Sequence, residues 1–169
     1  MHRSIARIKG IGFIMWHGKH MIIHTLLGLV WAWFLREWFG QFNFIWVTTA
    51  VVGSVIPDID HFIYFLTYGK HDSYTRMIWR FIKTHQWRVL VKYIESGHKY
   101  NTNLSFHNYY TVAGLVILEG LSFIYSWQIG VTLFGAMITH YLYDIAEDFV
   151  VLGYINSNWC RWGRDKGSR

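Results

Sequence analysis

Seven residues have the types and spacings of a metal centre. The stretch "PDIDH", Pro57 to His61, sets Asp58, Asp60 and His61 within four positions. The stretch "HYLYD" sets His140 and Asp144 four apart, a separation that shares one helix face. His24 and His107 complete the set. Imidazole nitrogen and carboxylate oxygen together suit a divalent cation, zinc first, with manganese or iron(II) as alternatives. Cys160 is the single cysteine, so neither a Cys-rich zinc site nor an intrachain disulfide is available. Seven groups exceed one tetrahedral shell. They fit two ions, or one ion whose imidazoles are oriented by further carboxylates. A bound cation of this kind brings the pKa of a coordinated water towards neutrality and polarises the group under attack. Asp60 is the expected proton acceptor beside it.

Positioning these groups falls to four apolar segments. They are Met21–Leu35, Phe42–Ile56, Tyr109–Trp127 and Ile129–Ile145. Each is near or slightly below the roughly 20 residues that cross a bilayer, and flanking Trp and Tyr can complete it. The chain is 53% hydrophobic, 20% aromatic and only 15% charged, against about a quarter charged in a soluble domain. Its 169 residues suffice for one domain, residues 1–169. No small-residue processing signal follows the basic "MHRSIARIKGIGF", so no cleaved leader is expected.

A soluble bundle could also bury such segments, and the placement of Lys and Arg decides between the two. Four precede the first segment, one (Arg36) follows it, seven lie between the second and third, none between the third and fourth, and four come last. Cytoplasmic loops are enriched in Lys and Arg. The alternation predicts an all-α integral bundle of four transmembrane helices, over about residues 20–38, 42–60, 107–127 and 129–147. Both termini then face the cytoplasm, across the inner membrane.

The long inner connection holds "YTRMIWRFIKTHQWRVLVKYIES". Arg76, Arg80 and Lys83 share a helical face, with Met77, Ile78, Phe81 and Ile82 largely off it. This predicts a basic amphipathic helical insertion over 70–98, on the cytoplasmic side, against anionic lipid. The basic face shifts after Thr84, which predicts two helices or a bend. No nucleic-acid partner is expected.

On this topology His24, Asp58, Asp60, His61, His107, His140 and Asp144 all fall at one membrane depth, near the inner ends of the spans. Singly, each has a blander role: a lone His near a helix end is commonly a hydrogen-bonder, and "PDID" reads as a turn that stops a helix. Their common depth favours an assembled site. His2, His17, His71, His85 and His98 read as interfacial hydrogen-bonders, while His20 shares a face with His24 and stays open. Glu119 is separate, in mid-span, as a proton relay or a partner of a buried polar group. Glu147 and Asp148 are expected near solvent beyond the fourth span.

In this order the motifs resemble the family of membrane-bound metal-dependent hydrolases, whose bacterial type member is an SOS-regulated inner-membrane protein. Its pattern is a His near the N-terminus, Pro-Asp-x-Asp-His, His-Arg-Gly-x-Thr-His-Ser and His-x-x-x-Asp. The counterparts here are His24 in "HTLLG", Pro57–His61, "NLSFHN" at Asn103–Asn108, and His140–Asp144. The third element departs, with Asn103 at the first His, Phe106 at Thr and Asn108 at Ser. The resemblance implies a hydrolase. A looser likeness in ligand order to zinc-dependent phospholipase C implies phosphoester chemistry on a phospholipid or lipid phosphate. Competing readings are a membrane protein with a structural metal, and a b-type haem protein with paired histidines. Haem does not need Asp at fixed offsets from His, and transport would need polar groups continuing beyond Glu119.

Overall fold

The computed structural model describes residues 5–101 and 104–160, without the side chains of 5–19, 95–96 and 98–101. His2 and Asn103 lie outside the described residues, as do the side chains of His17 and His98. All regular structure among the described residues is helical. In chain order the helices are α1 (Ile5–Phe39), α2 (Phe44–Val55), α3 (Ile59–Leu66), α4 (Ser73–Lys83), α5 (Trp87–Asn101), α6 (Tyr109–Ile124) and α7 (Gln128–Leu152). A 3-10 turn, Ile56–Asp58, joins α2 to α3, and another, Ser157–Cys160, follows α7.

Local chemistry sets the boundaries. Gly40 ends α1 at φ 65°, where its N–H donates to the Arg36 carbonyl, a geometry open to glycine. Asn43 and Asn108 cap α2 and α6 by accepting from the N–H groups of Ile45 and Thr111, each at 2.9 Å. Gly153, at φ 74°, ends α7 as Gly40 ends α1. The cap at Asn108 and the turn at Ser126 hold α6 to 16 residues, shorter than the expected 107–127.

The opening motif does not stop its helix. Pro57 lies in the first turn of the 3-10 segment, where a missing N–H costs little, and the helical path runs on to Leu66. The expected end near residue 60 is therefore a break inside one stretch, Phe44–Leu66. The expected insertion is two helices, α4 and α5, parted at Thr84–Gln86, with His85 at φ 53°. Their apolar faces close on each other through Tyr74, Ile78, Phe81 and Leu90. Arg76, Arg80, Lys83, Arg88 and Lys92 remain exposed beside Trp79 and Trp87.

Where α1, α2 and α7 meet, small side chains are buried and many large ones stand outside. Between α1, α2 and α7 the core is Ala32, Ala50 and Ala136. Large apolar side chains stand outside, Trp33 at 60% exposure, Ile117 at 63% and Ile124 at 73%. Patches of this extent mark a surface that contacts something other than water. Phe44–Leu66 and Gln128–Leu152 are long and apolar enough to cross a membrane, and α6 is a shorter apolar helix. Small residues let the backbones touch. A Cβ on Gly28 would lie 2.7 Å from the Ala50 carbonyl oxygen, and one on Gly53 2.8 Å from that of Leu133. These contacts press α1 and α7 onto α2 and so bring their polar residues together.

Candidate metal centre

His24, on the face of α1 that meets α2, is fully buried, as is His140 on α7. Their rings stack with centroids 3.8 Å apart. One turn beyond His140, Asp144 brings Oδ2 to 3.0 Å from His140 Nε2. The 3-10 turn supplies Asp58, whose Oδ1 is 3.9 Å from His140 Nε2. The loop before α6 supplies His107, with Nε2 3.5 Å from Asp144 Oδ2. Donor atoms fall into three overlapping triads, each within 4.8 Å: His20, His24 and Asp58; His24, His140 and Asp144; Asp58, His107 and His140.

The far sides of the rings are held. His140 Nδ1 donates to the Ser54 carbonyl at 2.7 Å, which turns Nε2, as an acceptor, into the centre. His107 Nδ1 faces Asp60 Oδ2 at 3.3 Å. Asp60 also accepts from the Phe106 N–H and the Tyr68 hydroxyl, each at 2.8 Å. The Tyr68 oxygen in turn accepts from the Ser105 N–H at 3.1 Å. Burial, opposed by the Ser105 bond and reinforced by Asp60, pushes the Tyr68 phenol up to about 12, so it stays a proton donor. Asp60 thus stands outside the triads and orients His107 from behind.

His61 also stands outside them. Its Nε2 is 3.9 Å from Asp58 Oδ1 and its ring 5.2 Å from that of His107. It lines the polar mouth of the centre, a cavity of about 60 Å³ with His20, His107, Asp144 and Glu147 on its wall. That volume admits water.

The donor chemistry fits a divalent cation. His107 Nε2 and His140 Nε2 are buried and make no hydrogen bond, although the Asp144 carboxylate is near both. Buried polar atoms are seldom left this way, and an ion satisfies them. The residues can hold a metal ion, and they do not select which one.

Several contributors were not evident from sequence. Tyr68 and the Ser54 carbonyl had no signal. His20 had its four-residue offset from His24, and its Nε2 lies 2.8 Å from His24 Nε2. Asp148 was expected at solvent but is buried, because Trp159 from the C-terminal 3-10 turn folds back and donates to it at 2.8 Å. Trp159 also packs 6.2 Å from the His107 ring. Glu119 belongs to none of the triads, and its Oε2 is buried without a hydrogen bond.

Compared with known proteins, the chain matches no family model, no curated protein and no solved structure.

Removing the Tyr68 hydroxyl gives a direct check on the support behind His107. Tyr68→Phe should weaken metal binding by at most about 10-fold, the low end of the cost of losing a ligand's own orienting partner, because Asp60 keeps its contacts with Phe106 and His107. Competition against a chelator of known affinity measures this. Unchanged affinity would show that the Tyr68 bond to Asp60 does not tune the centre.

Proposed function

We propose that the protein is a membrane-embedded metal-dependent hydrolase acting at the cytoplasmic face of the inner membrane. The buried, unbonded Nε2 atoms of His107 and His140, facing carboxylates at a small polar mouth, carry this reading. Motif order, with its resemblance to membrane-bound metal-dependent hydrolases, supports it. So does the Lys and Arg alternation, which favours four spans with both termini inside. Zinc suits the donor set first, then manganese or iron(II).

In this mechanism Asp58, His107, His140 and Asp144 hold the ion, with His24 beside them. The bound ion supplies an activated water and a Lewis acid. Asp60, expected from sequence to take the proton, already accepts from three donors, and its part is to orient His107. Glu147 and Asp148 both line the mouth outside the triads; Asp148 is buried against Trp159, and the part-exposed Glu147 takes the proton instead. The substrate class is an amphiphilic phosphoester, a phospholipid or a lipid phosphate. Its headgroup enters the mouth, while exposed Arg76, Arg80, Lys83 and Arg88 draw the anionic surface close.

Turnover of a panel of lipid phosphates and phospholipids tests this in metal-loaded, chelated and Glu147→Gln protein. Loaded wild type should hydrolyse at least one class. Chelation should abolish the activity, and Glu147→Gln should keep the metal while losing at least about 100-fold in rate, the typical contribution of a general base. If loaded protein turns over none of the panel and chelation alone unfolds it, the metal is structural and the hydrolase reading fails.

A further inference from the structure

We infer that the centre takes two divalent cations, with Asp144 bridging them and His20 as a ligand of the second. This rests on the metal-binding part of the function proposed above and is independent of hydrolysis.

The two oxygens of Asp144 address different pairs of imidazoles. Oδ2 lies 3.0 Å from His140 Nε2 and 3.5 Å from His107 Nε2. Oδ1 lies 3.5 Å from His24 Nε2 and 3.9 Å from His20 Nε2. Asp58 belongs to a triad on each side, with His107 and His140 on one and with His20 and His24 on the other, and the third triad, His24, His140 and Asp144, spans the two. Four imidazoles and two carboxylates are more than one tetrahedral ion accepts. Divided at Asp144, they form two pairs of nitrogen ligands joined by carboxylate oxygens.

The spacing agrees. Ions in two-metal sites stand about 3.5–4 Å apart. The stacked rings of His24 and His140, one from each pair, are 3.8 Å apart, so each can serve its own ion without crossing the other. The 2.8 Å between His20 Nε2 and His24 Nε2 is a hydrogen bond. Two nitrogens on one tetrahedral zinc stand about 3.3 Å apart, from bonds of about 2.0–2.1 Å, so loading needs an opening of about half an ångström. His20 can supply it, because its side chain is 24% exposed at the mouth while that of His24 is fully enclosed. The ion at His107 and His140 is then the deep one. The ion at His20 and His24 is the exchangeable one.

Full-length protein purified in detergent and loaded with Mn(II) tests the division by elemental analysis and electron paramagnetic resonance. Wild type should hold two manganese per chain and give the spectrum of a spin-coupled pair. His20→Ala should hold one per chain and give an uncoupled Mn(II) signal. His20→Gln serves the same purpose should the alanine variant fail to fold. One uncoupled ion per chain in wild type, or two ions kept in the His20 variants, overturns the proposal. One ion with phosphoester turnover would defeat this inference alone, whereas no bound ion would defeat the hydrolase reading with it.

Discussion

His140→Ala should remove the ion shared with His107 and, with it, metal-dependent turnover. Two losses combine at this residue. The Nε2 ligand disappears, and the Ser54 carbonyl loses the N–H that reached it at 2.7 Å. A buried acceptor left without its donor costs about 1–3 kcal/mol. For a chain of this size that lowers the melting temperature by about 2–12 °C, since about 1 kcal/mol corresponds to roughly 2–4 °C. Metal affinity should fall by more than the about 10- to 100-fold expected of an orienting partner, because the ligand itself is gone. Elemental analysis and thermal unfolding in detergent read the two effects separately. Full metal content in the variant would place the ion away from α7.

Gly28→Val should damage the centre from a distance. The first carbon of the new side chain would meet the Ala50 carbonyl oxygen and Ser54 Oγ, both at 2.7 Å, and the Val51 Cα at 3.0 Å. Two of the three are backbone atoms and cannot rotate aside, so α1 must move off α2. Overpacking of this kind costs about 1–3 kcal/mol. It also draws His24 away from His140, so metal content should drop along with stability. Gly114→Ala is the matched control, on α6 with no atom near the added carbon. It should keep its metal and gain about 0.5–1 kcal/mol from the better helix former. Equal behaviour of the two variants in unfolding and metal content would refute the role given to the α1–α2 contact.

What could be read from sequence was whatever depended on short range. The four-residue offset between His140 and Asp144 sets both on one face of α7, and both point into the centre. The shift of the basic face after Thr84 coincides with the break between α4 and α5. Long-range partners carried no such signal. Sequence alone suggests a proton acceptor at Asp60, because its donors, the Tyr68 hydroxyl and the Phe106 N–H, come from other parts of the fold. Asp148 was set at solvent because nothing in the sequence announces that Trp159 returns to it. The span expected to end near residue 60 runs on past Pro57, because at the first turn of a new segment proline is well tolerated. The apolar face of α4 was matched to lipid, but much of it closes on α5.

The uninterrupted run of α7 from Gln128 to Leu152 restricts how the chain can vary in length. Each residue advances an α-helix by about 100°, from 3.6 residues per turn. A single insertion between Gln128 and His140 would swing His140 and Asp144 together about a quarter turn out of the centre, while their mutual spacing stayed intact. The same insertion after Gly153, where the left-handed cap has closed the helix, rotates neither ligand. Indels among descendants of this sequence should therefore gather in the turns at Gly40–Asn43, Thr67–Asp72 and Thr84–Gln86, and spare the eleven residues between Gln128 and His140.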